Sequence, residues 1–347
     1  MSRVDDDLLV VVPCLNEADH LSALLSWLVA ETGDEALIVV ADGGSQDDSR
    51  RIVEQAAVRW PKVRLLPNPA RIQSAGVNAA AARHGQGRSR LIRIDAHAGY
   101  PDGFIHGLVA AADSVGAQSV TVPMHTRGEG CFQRAAAAAQ NSFLGAGGSA
   151  HRQGSASGWV DHGHHALMDL AAFRRAGGYD EGFSHNEDAE LDLRLVQGGA
   201  RIWLAGDLAI DYRPRSRPGA LFAQYRNYGR GRAMTAARHQ VRLKLRQKAP
   251  LLVAPSVAAA IIAPALWPVA PVAAALLALP ALAWAGLCLG LGLLVGAKAG
   301  KRCALLSGVA AMIMHLGWSI GFWGERLSAT LQPPRLPLSP EAEAAGA

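Results

Sequence analysis

The chain has 347 residues, four cysteines and a formal net charge of +5, with 50% hydrophobic and 18% charged residues. This length allows two or three domains of ordinary size. The apolar content excludes a disordered chain, and four scattered cysteines without a CxxC pair exclude a disulfide scaffold. Aspartates precede the first apolar run, which is wrong for a secretory signal, so we expect the N-terminal part to stay in the reducing cytosol.

The first third of the chain alternates short apolar runs with helical patterns. This alternation predicts a mostly parallel α/β sheet with helices on both faces. We expect strands over 8–12, 36–40, 63–66, 90–94 and 119–122, and helices over 18–30, 47–58, 74–83 and 102–112. Ligands of such sheets bind outside the carboxyl ends of the strands, so the polar residues that follow each strand are candidate site residues.

Three polar segments follow predicted strands: residues 13–17 (Pro-Cys-Leu-Asn-Glu), 42–48 (Asp-Gly-Gly-Ser-Gln-Asp-Asp) and 95–97 (Asp-Ala-His). Glycines let backbone amides approach an anion, helix N-termini favour negative charge, and Asp42 can accept hydrogen bonds from a base or a ribose. These features indicate an anionic, nucleotide-like ligand. The alternative for Asp42 is a cap on the helix that follows it.

Asp95 and His97 are two residues apart at a predicted strand end, a spacing that can present both side chains to one divalent cation. Oxygen ligands suit Mg²⁺ or Mn²⁺, and an imidazole favours Mn²⁺. The alternative is a polar strand end that binds no metal.

The distribution of charged residues distinguishes the last third of the chain from the rest. Residues 201–248 contain twelve Lys and Arg against two acids, and residues 251–297 then contain no charged residue over 47 positions. A further uncharged stretch covers 303–324. Because about 20 apolar residues cross a bilayer core as a helix, these stretches predict three membrane spans. The basic segment directly before them favours contact with anionic lipid headgroups over binding to nucleic acid.

The flanking positive charges predict the orientation of these spans. The basic residues of 242–248 and 298–302 would face the cytoplasm, which makes residues 1–249 a cytoplasmic domain with a basic juxtamembrane segment. The transmembrane region would cover 250–324, and 325–347 would form a flexible tail on the outer side. Alanine-rich spans are weakly hydrophobic, so an interfacial or hairpin arrangement is the alternative.

Four segments, 13–17, 42–45, 95–97 and 186–188, occur in the order seen in family 2 glycosyltransferases, which the chain resembles. Residues 71–78, 177–181 and 224–231 make it most similar to the membrane-attached members of bacterial exopolysaccharide assembly, of which a succinoglycan glucosyltransferase is the type. The similarity spans most of residues 8–235. It implies a GT-A fold, which is a Rossmann-like, mostly parallel sheet for nucleotide-diphospho-sugars, here followed by C-terminal transmembrane helices. It also implies a nucleotide-sugar donor, a divalent metal and an inverting displacement.

The resemblance assigns roles on the nucleotide side. Asp42 corresponds to the acid that contacts uracil, with Pro13 and Glu17 in the wall around the base. Arg71 is placed near the diphosphate, where a guanidinium can form a bidentate pair.

For the metal, Asp95 corresponds to the first residue of the family's DxD element, and His97 stands where many members have the second aspartate. Imidazole can still bind a metal, so we expect dependence on Mn²⁺ or Mg²⁺.

The segment 224–232 loosely resembles the QxxRW signature of processive members. Gln224, Arg226 and Arg230 are therefore candidate contacts of the nucleotide-sugar, although the two arginines could instead attract lipid headgroups. Tyr228 and Gly229 occupy the region of the missing tryptophan, which favours the addition of a single sugar.

Attack by an acceptor hydroxyl needs a positioned general base, because the pKa of the hydroxyl lies far above 7. Asp188 in the segment 186–188 is the candidate base, with Glu187 beside it as a second catalytic carboxylate. Glu190 and Asp192 are alternative bases, and a solvated helix start is the non-catalytic alternative.

Residues 161–165 read Asp-His-Gly-His-His and lack the spacing of a diagnostic zinc motif. They could form a separate metal site, border the acceptor pocket, or supply one histidine to the metal shell of Asp95. We place His164 on the acceptor side. Trp159 just before them could stack on an acceptor sugar or pack in the core.

Together these features predict a membrane-attached hexosyltransferase at the bacterial inner membrane with its catalytic domain in the cytoplasm. We expect a UDP-hexose donor, with glucose as the sugar the family favours, and a polyprenyl-diphosphate-linked saccharide as acceptor. The alternatives are transfer directly onto polyprenyl phosphate, a catalytically silent nucleotide-sugar-binding subunit, and a histidine-based metallohydrolase.

Overall fold

A computed structural model of the chain describes residues 7–147 and 156–331. Its first elements confirm the predicted alternation of strands and helices. They are β1 (Leu8–Cys14), α1 (Ala18–Glu31), β2 (Leu37–Asp42), α2 (Ser49–Arg59), β3 (Val63–Pro67), α3 (Gln73–His84), β4 (Arg90–Arg93), α4 (Phe104–Val115) and β5 (Ser119–Val122). Helix α2 begins two residues later than predicted, because the Asp47 carboxylate accepts hydrogen bonds from the amides of Ala18 and Ser49.

The chain then adds shorter elements and, at its end, long helices. They are β6 (Met124–Thr126), α5 (Cys131–Gln140), α6 (Phe143–Ala146), β7 (Gly158–Val160), β8 (His164–Asp169), α7 (Leu170–Arg175), α8 (Glu187–Gln197), β9 (Ile202–Leu204), β10 (Ile210–Tyr212), α9 (Pro218–Arg238), α10 (Leu245–Lys248), α11 (Val253–Leu266), α12 (Pro271–Ala299) and α13 (Ser307–Leu331). Residues 325–331 of the predicted tail continue α13, and the rest of that tail lies outside the described residues.

The described strands form one eight-stranded sheet in the order β3-β2-β1-β4-β8-β5-β9-β7 and a small parallel pair, β10-β6. The strands from β3 to β4 are parallel, and β8 is antiparallel to both of its neighbours. Alternating residues of the apolar strands point to opposite faces, so the sheet separates two cores. Val10 and Val12 belong to one core, and Leu9 and Val11 belong to the other.

The register brings the strand ends to one edge of the sheet. Cys14 pairs with Asp42, and Asp42 pairs with Pro67, so β1, β2 and β3 end side by side. Strand β4 ends at Arg93, two residues before Asp95. The polar segments that follow these strands are therefore neighbours in space.

The last three helices are long and apolar. Residues 249–266, 271–299 and 302–328 form helices that have the length and composition to cross a membrane. Large aliphatic side chains on them face outward, such as Ile261, Val272 and Leu282. A soluble surface rarely carries so much contiguous apolar area, which indicates a lipid or protein environment around them. Pro268 lies in the turn between α11 and α12, and Pro271 opens α12. Pro264, which sequence alone would also place near this turn, lies inside α11.

Helix α9 lies between α13 and the segment that precedes α8, and two glycines permit this close approach. A Cβ atom on Gly229 would lie 1.9 Å from the carbonyl oxygen of Trp318, and one on Gly231 would lie 2.4 Å from that of His185. Backbone therefore packs on backbone on both sides of α9. This packing connects the apolar C-terminal helices to the turn that presents Glu187 and Asp188.

A disulfide joins Cys131, the first residue of α5, to Cys303 in the turn between α12 and α13. The cysteine spacing does not indicate this bond, because the two residues are 172 positions apart. Only the packing of α5 against α13 brings them together. The remaining cysteines, Cys14 and Cys288, are buried free thiols.

Candidate active site

A cavity of about 760 Å³ opens at the carboxyl ends of the strands. Its wall contains Asp95 and His97 after β4, His164 at the start of β8, and Glu187 and Asp188 at the start of α8. The structure thus brings together side chains that are up to 93 positions apart in the sequence. A cavity of this size suits a small organic ligand.

Arg93 lies at the centre of this group and is almost completely buried. Its guanidinium donates to both carboxylate oxygens of Asp188, at 2.5 Å and 3.1 Å, and to the Tyr179 hydroxyl at 3.1 Å. Its Nε lies 3.8 Å from Oδ1 of Asp95. The bidentate pair fixes the orientation of Asp188, since two parallel hydrogen bonds leave little rotational freedom.

The two adjacent carboxyl groups, Glu187 and Asp188, have opposite proton affinities. Burial alone would raise the pKa of Asp188, but the charges of Arg93 and His165 outweigh it and lower this pKa to about 2. Burial and the negative charge of Asp188 raise the pKa of Glu187 to about 7. Asp188 is therefore ionised at any ordinary pH, whereas Glu187 changes its charge near neutrality.

A buried histidine supports this arrangement from behind. His165 on β8 donates to Asp192 with a distance of 2.6 Å, and its other ring nitrogen lies 2.7 Å from the Tyr179 hydroxyl. Asp192 follows Asp188 by one helical turn of α8 and also accepts a hydrogen bond from the Gly163 amide. This network connects β8 to α8 and holds Tyr179 against Arg93.

The candidate metal ligands Asp95 and His97 do not contact each other directly, and each contacts a different side chain. Oδ2 of Asp95 lies 3.4 Å from Nε2 of His164, while Nδ1 of His97 donates to Glu17 at 2.9 Å. Burial would raise the pKa of Asp95, but Arg93 and the hydrogen bond from His164 hold it well below its usual range, so this carboxylate is available as an anion.

No group of three His, Cys, Asp or Glu side chains with metal-binding geometry occurs within 7–147 and 156–331. A divalent cation that takes further ligands from a diphosphate needs only one or two protein donors. Asp95 together with an imidazole fits that requirement, and the structure adds His164 to His97 as a source of this imidazole.

On the nucleotide side, Asp42 is buried at the end of β2. Its carboxylate accepts hydrogen bonds from the amides of Gly44 and Ser45, so it shapes the turn of residues 42–45. Pro13 pairs with Ala41 at the end of β1. Arg71, with a positive φ of 61°, lies in the loop after β3 next to Gly43. These residues lie at the same edge of the sheet, where the strands end, as predicted. Glu17 extends across this edge and contacts His97.

Helix α9 divides its predicted residues between two faces. Gln224 lines the cavity and donates to the hydroxyls of Tyr212 and Tyr228. Arg230 faces α13 instead, where it forms an ion pair with Glu325 at 2.8 Å. Arg226 packs its backbone against Gly321 of α13, and its side chain is exposed.

Trp159 lies on β7 at the edge of the sheet. It packs edge-to-face on Trp203 and under the guanidinium of Arg201, and it is not among the described residues that line the cavity. Of the two predicted acceptor-side residues, only His164 is part of the cavity wall.

Sequence reasoning missed Arg93 and Arg215, and it considered His165 only as part of the histidine segment 161–165, without its supporting role. A signal for Arg93 was present, because a charge inside a buried strand must be paired. Its partner could not be named, since Asp188 lies 95 positions away.

Comparison with known proteins defines the class to which this fold and site belong. Residues 9–176 match the family described as Glycosyl transferase family 2, and the chain belongs to that family. It is a glycosyltransferase with a GT-A fold. Over 320 residues, 92% of this chain and 94% of the relative, it is 48% identical to the succinoglycan biosynthesis protein ExoA of Rhizobium meliloti (strain 1021).

Solved structures agree on the fold. The mannosyltransferase PcManGT from Pyrobaculum calidifontis, in complex with GDP-Man and Mn²⁺, superposes with a TM-score of 0.55 at 18% identity, over 93% of this chain and 87% of that one. At this identity the likeness shows a shared architecture.

Proposed function

We propose that the protein transfers a hexose from a UDP-sugar to a lipid-linked saccharide in the synthesis of an exopolysaccharide or another cell-surface glycan, with inversion at the anomeric carbon. The main support for this proposal is that Asp95, Arg93 and Asp188 lie together in one cavity at the strand ends. The likeness to a succinoglycan biosynthesis protein supports the glycan product. Glucose is the sugar that the family resemblance favours.

In the proposed reaction, Asp188 accepts the proton of the acceptor hydroxyl while the oxygen attacks the anomeric carbon. The bond between that carbon and the diphosphate breaks, and UDP leaves. From an α-linked donor, attack on the opposite face gives a β-glycoside. Arg93 keeps Asp188 ionised and oriented before the reaction, so no reorganisation is needed when the hydroxyl arrives.

The donor would lie along the strand-end edge. Asp42, Pro13 and Glu17 would surround the uracil and ribose, and Arg71 would approach the diphosphate from the loop after β3. A divalent cation, Mn²⁺ or Mg²⁺, held by Asp95 and an imidazole of His97 or His164, would neutralise the charge of the departing diphosphate. Gln224 would contact the sugar side of the cavity.

The exposed apolar helices support a membrane location. We propose that α11, α12 and α13 attach the enzyme to the bacterial cytoplasmic membrane, with residues 1–249 as the catalytic domain on the cytoplasmic side. An acceptor carried on a polyprenyl diphosphate would then reach the cavity from the same membrane. The exposed Arg226 lies beside these helices, where anionic headgroups would attract it.

The test is a donor and acceptor screen with purified protein in lipid nanodiscs. Several UDP-hexoses are offered with Mn²⁺, Mg²⁺ or EDTA, and a bacterial lipid extract serves as acceptor. We expect transfer to lipid from one donor, which EDTA abolishes. Turnover with bare polyprenyl phosphate would instead identify a polyprenyl-phosphate sugar transferase. Binding of UDP without any transfer would contradict the enzymatic proposal and leave a silent binding subunit.

A further inference from the structure

The cavity that contains Asp95 and Asp188 does not end at the catalytic side chains. Its wall continues onto the apolar helices, where Trp284, Leu287 and Leu291 of α12 and Met314 and Trp318 of α13 line it. One cavity therefore joins a carboxylate-rich end to an apolar end.

A continuous row of side chains connects the two ends. The His185 ring lies 6.2 Å from the ring of Tyr228, and Tyr228 lies 5.4 Å from Tyr225 in an edge-to-face contact. Tyr225 in turn packs against the cluster that contains Met314. The row runs from the residues before Asp188 to the apolar helices without leaving the cavity wall.

The cavity wall also carries positive charge and an unused hydrogen-bond acceptor. Arg215 and Arg232 both line the cavity, together with His97 and His185. The side-chain oxygen of Gln224 is buried in the same wall without a hydrogen-bond partner. A buried acceptor without a partner is costly unless a ligand supplies a donor.

The apolar end remains uncharged although it contains a histidine. His315 donates from Nε2 to the Leu144 carbonyl at 2.7 Å and accepts at Nδ1 from the Trp284 indole at 3.3 Å. With one ring nitrogen donating and the other accepting, the imidazole is neutral. The surrounding side chains are aromatic, aliphatic or sulfur-containing, so this end suits a hydrocarbon.

Two side chains that line the apolar end are also exposed on the outer surface of α12. Leu287 and Leu291 line the cavity and are 62% and 38% exposed, on a helix whose other large side chains also face outward. If α12 lies in a membrane, as the proposed function has it, these two side chains face the acyl chains of the bilayer.

We infer that this cavity is a two-part site for the polyprenyl diphosphate of the acceptor, which deepens and rests on the proposed function. The diphosphate binds between Arg215 and Arg232, where two guanidinium groups can pair with its oxygens. The isoprenoid chain lies between α12 and α13 and leaves past Leu287. The saccharide then points toward Gln224 and Asp188.

The test is equilibrium binding of radiolabelled farnesyl diphosphate to the full-length protein in nanodiscs. Saturating UDP and Mn²⁺ are present, so the probe cannot occupy the donor site. Leu287→Trp fills the apolar end, and Leu282→Trp is its control because Leu282 is equally exposed on α12 but lies outside the cavity wall. Arg215→Gln removes the cation, and Arg217→Gln is its control two positions away.

We expect Leu287→Trp and Arg215→Gln each to weaken binding at least about tenfold, and the two controls to stay within about twofold. UDP affinity should be equal in all five proteins. Equal binding of the probe in test and control variants, with UDP affinity intact, would overturn the inference and leave the proposed function standing. Competition by inorganic pyrophosphate as strong as by unlabelled farnesyl diphosphate would also overturn it, because the site would then recognise only an anion. A wild-type protein that does not bind UDP would instead remove the proposed function itself.

Discussion

At the residue scale, the distinctive feature of the site is a pair of neighbouring carboxyl groups with different protonation behaviour. Arg93 keeps Asp188 ionised, and the charge of Asp188, together with burial, raises the pKa of Glu187 to about 7. The coupling is reciprocal, so an ionised Glu187 also increases the proton affinity of Asp188. Asp188 should therefore be a stronger base when Glu187 is ionised.

This coupling predicts how activity changes with pH. Because the pKa of Glu187 is raised, Glu187 is protonated below about pH 7 and ionised above it, so we expect kcat for sugar transfer to rise as pH increases through about 7. Glu187→Gln should lower kcat and remove this rise, while leaving transfer measurable. The measurement is kcat of wild type and variant with saturating donor across that pH range.

The same experiment separates the two carboxylates. Asp188→Asn should lose transfer at every pH. If Glu187→Gln were as inactive as Asp188→Asn, Glu187 itself would be the proton acceptor and the assignment of Asp188 would be wrong.

The ion pairs of Arg93 lead to a second prediction at the residue scale, which concerns stability. Arg93→Gln leaves the partly buried carboxylates of Asp188 and Asp95 without their cation, so we expect a loss of about 3–5 kcal/mol in the free energy of unfolding, as for a broken buried ion pair. Arg51→Gln is the control, because it breaks an exposed pair with Asp48 and should leave the free energy of unfolding nearly unchanged. Denaturant unfolding in detergent measures both, and equal losses would contradict the central position of Arg93.

The individual residues at strand ends were predictable from sequence because the carboxyl ends of parallel strands always meet at one edge. Asp42 and Asp95 are examples. The contacts between distant elements were not predictable, since they depend on tertiary packing. The sequence gives no sign that Glu17 reaches His97, and it does not identify which histidine of 161–165 faces Asp95.

At the element scale, α9 connects the apolar helices to the catalytic turn. Its helical period places Gln224, Tyr228 and Arg232 toward the cavity and Arg230 toward α13. The sequence predicted a functional segment here but could not divide it between two faces, because the partner of each face was unknown.

Gly229 and Gly231, where α9 packs against neighbouring backbone, lead to a prediction about stability and activity. Gly229→Ala and Gly231→Ala place a Cβ atom within 2.4 Å of a backbone carbonyl oxygen, so one side of α9 must move. We expect each to destabilise the protein by about 1–3 kcal/mol, as overpacking does, and Gly231→Ala to lower kcat as well because it displaces the turn before Asp188.

Gly219→Ala is the matched control in the same helix. A Cβ atom there has open space, so the variant should be neutral or more stable by up to about 1 kcal/mol, since alanine favours the helix. The melting temperature and kcat of the three variants provide the measurement. A Gly231→Ala protein with the properties of Gly219→Ala would contradict the coupling of α9 to the site.

The longer strands and helices of the first 124 residues were predictable because apolar runs of a fixed period identify them. Short strands such as β6, β7 and β10, with three residues each, were not predicted. Such strands exist only because their neighbours in the fold supply pairing partners.

At the scale of the whole molecule, the contacts of α13 bear on its relation to the membrane. Near its N-terminal end, Ala310 and Met314 pack against α5, and near its C-terminal end Glu325 pairs with Arg230 of α9. Both ends thus touch elements of the catalytic part. A helix that crosses a bilayer core of about 30 Å would carry one end away from that part. These contacts favour α13 lying along the membrane surface, with α11 and α12 as a hairpin.

Accessibility labelling tests this arrangement. In membrane vesicles that expose the catalytic part, we expect a membrane-impermeant maleimide to label Ser328→Cys as readily as Ser114→Cys, which lies exposed in the last turn of α4. The native free thiols are buried and should contribute little background. Labelling of Ser114→Cys alone would contradict the hairpin and support three full spans with the C-terminal end outside.

The measurement that tests the central claim most directly is transfer by Asp188→Asn beside wild type, with UDP affinity determined on the same samples. Asp102→Asn, an exposed aspartate outside the cavity wall, is the control. We expect the rate of hexose transfer to lipid to fall at least about a hundredfold in Asp188→Asn, since a general base contributes about 10²–10⁴-fold, while UDP affinity stays the same. Transfer by Asp188→Asn at the rate of the control would contradict the catalytic role assigned to this cavity.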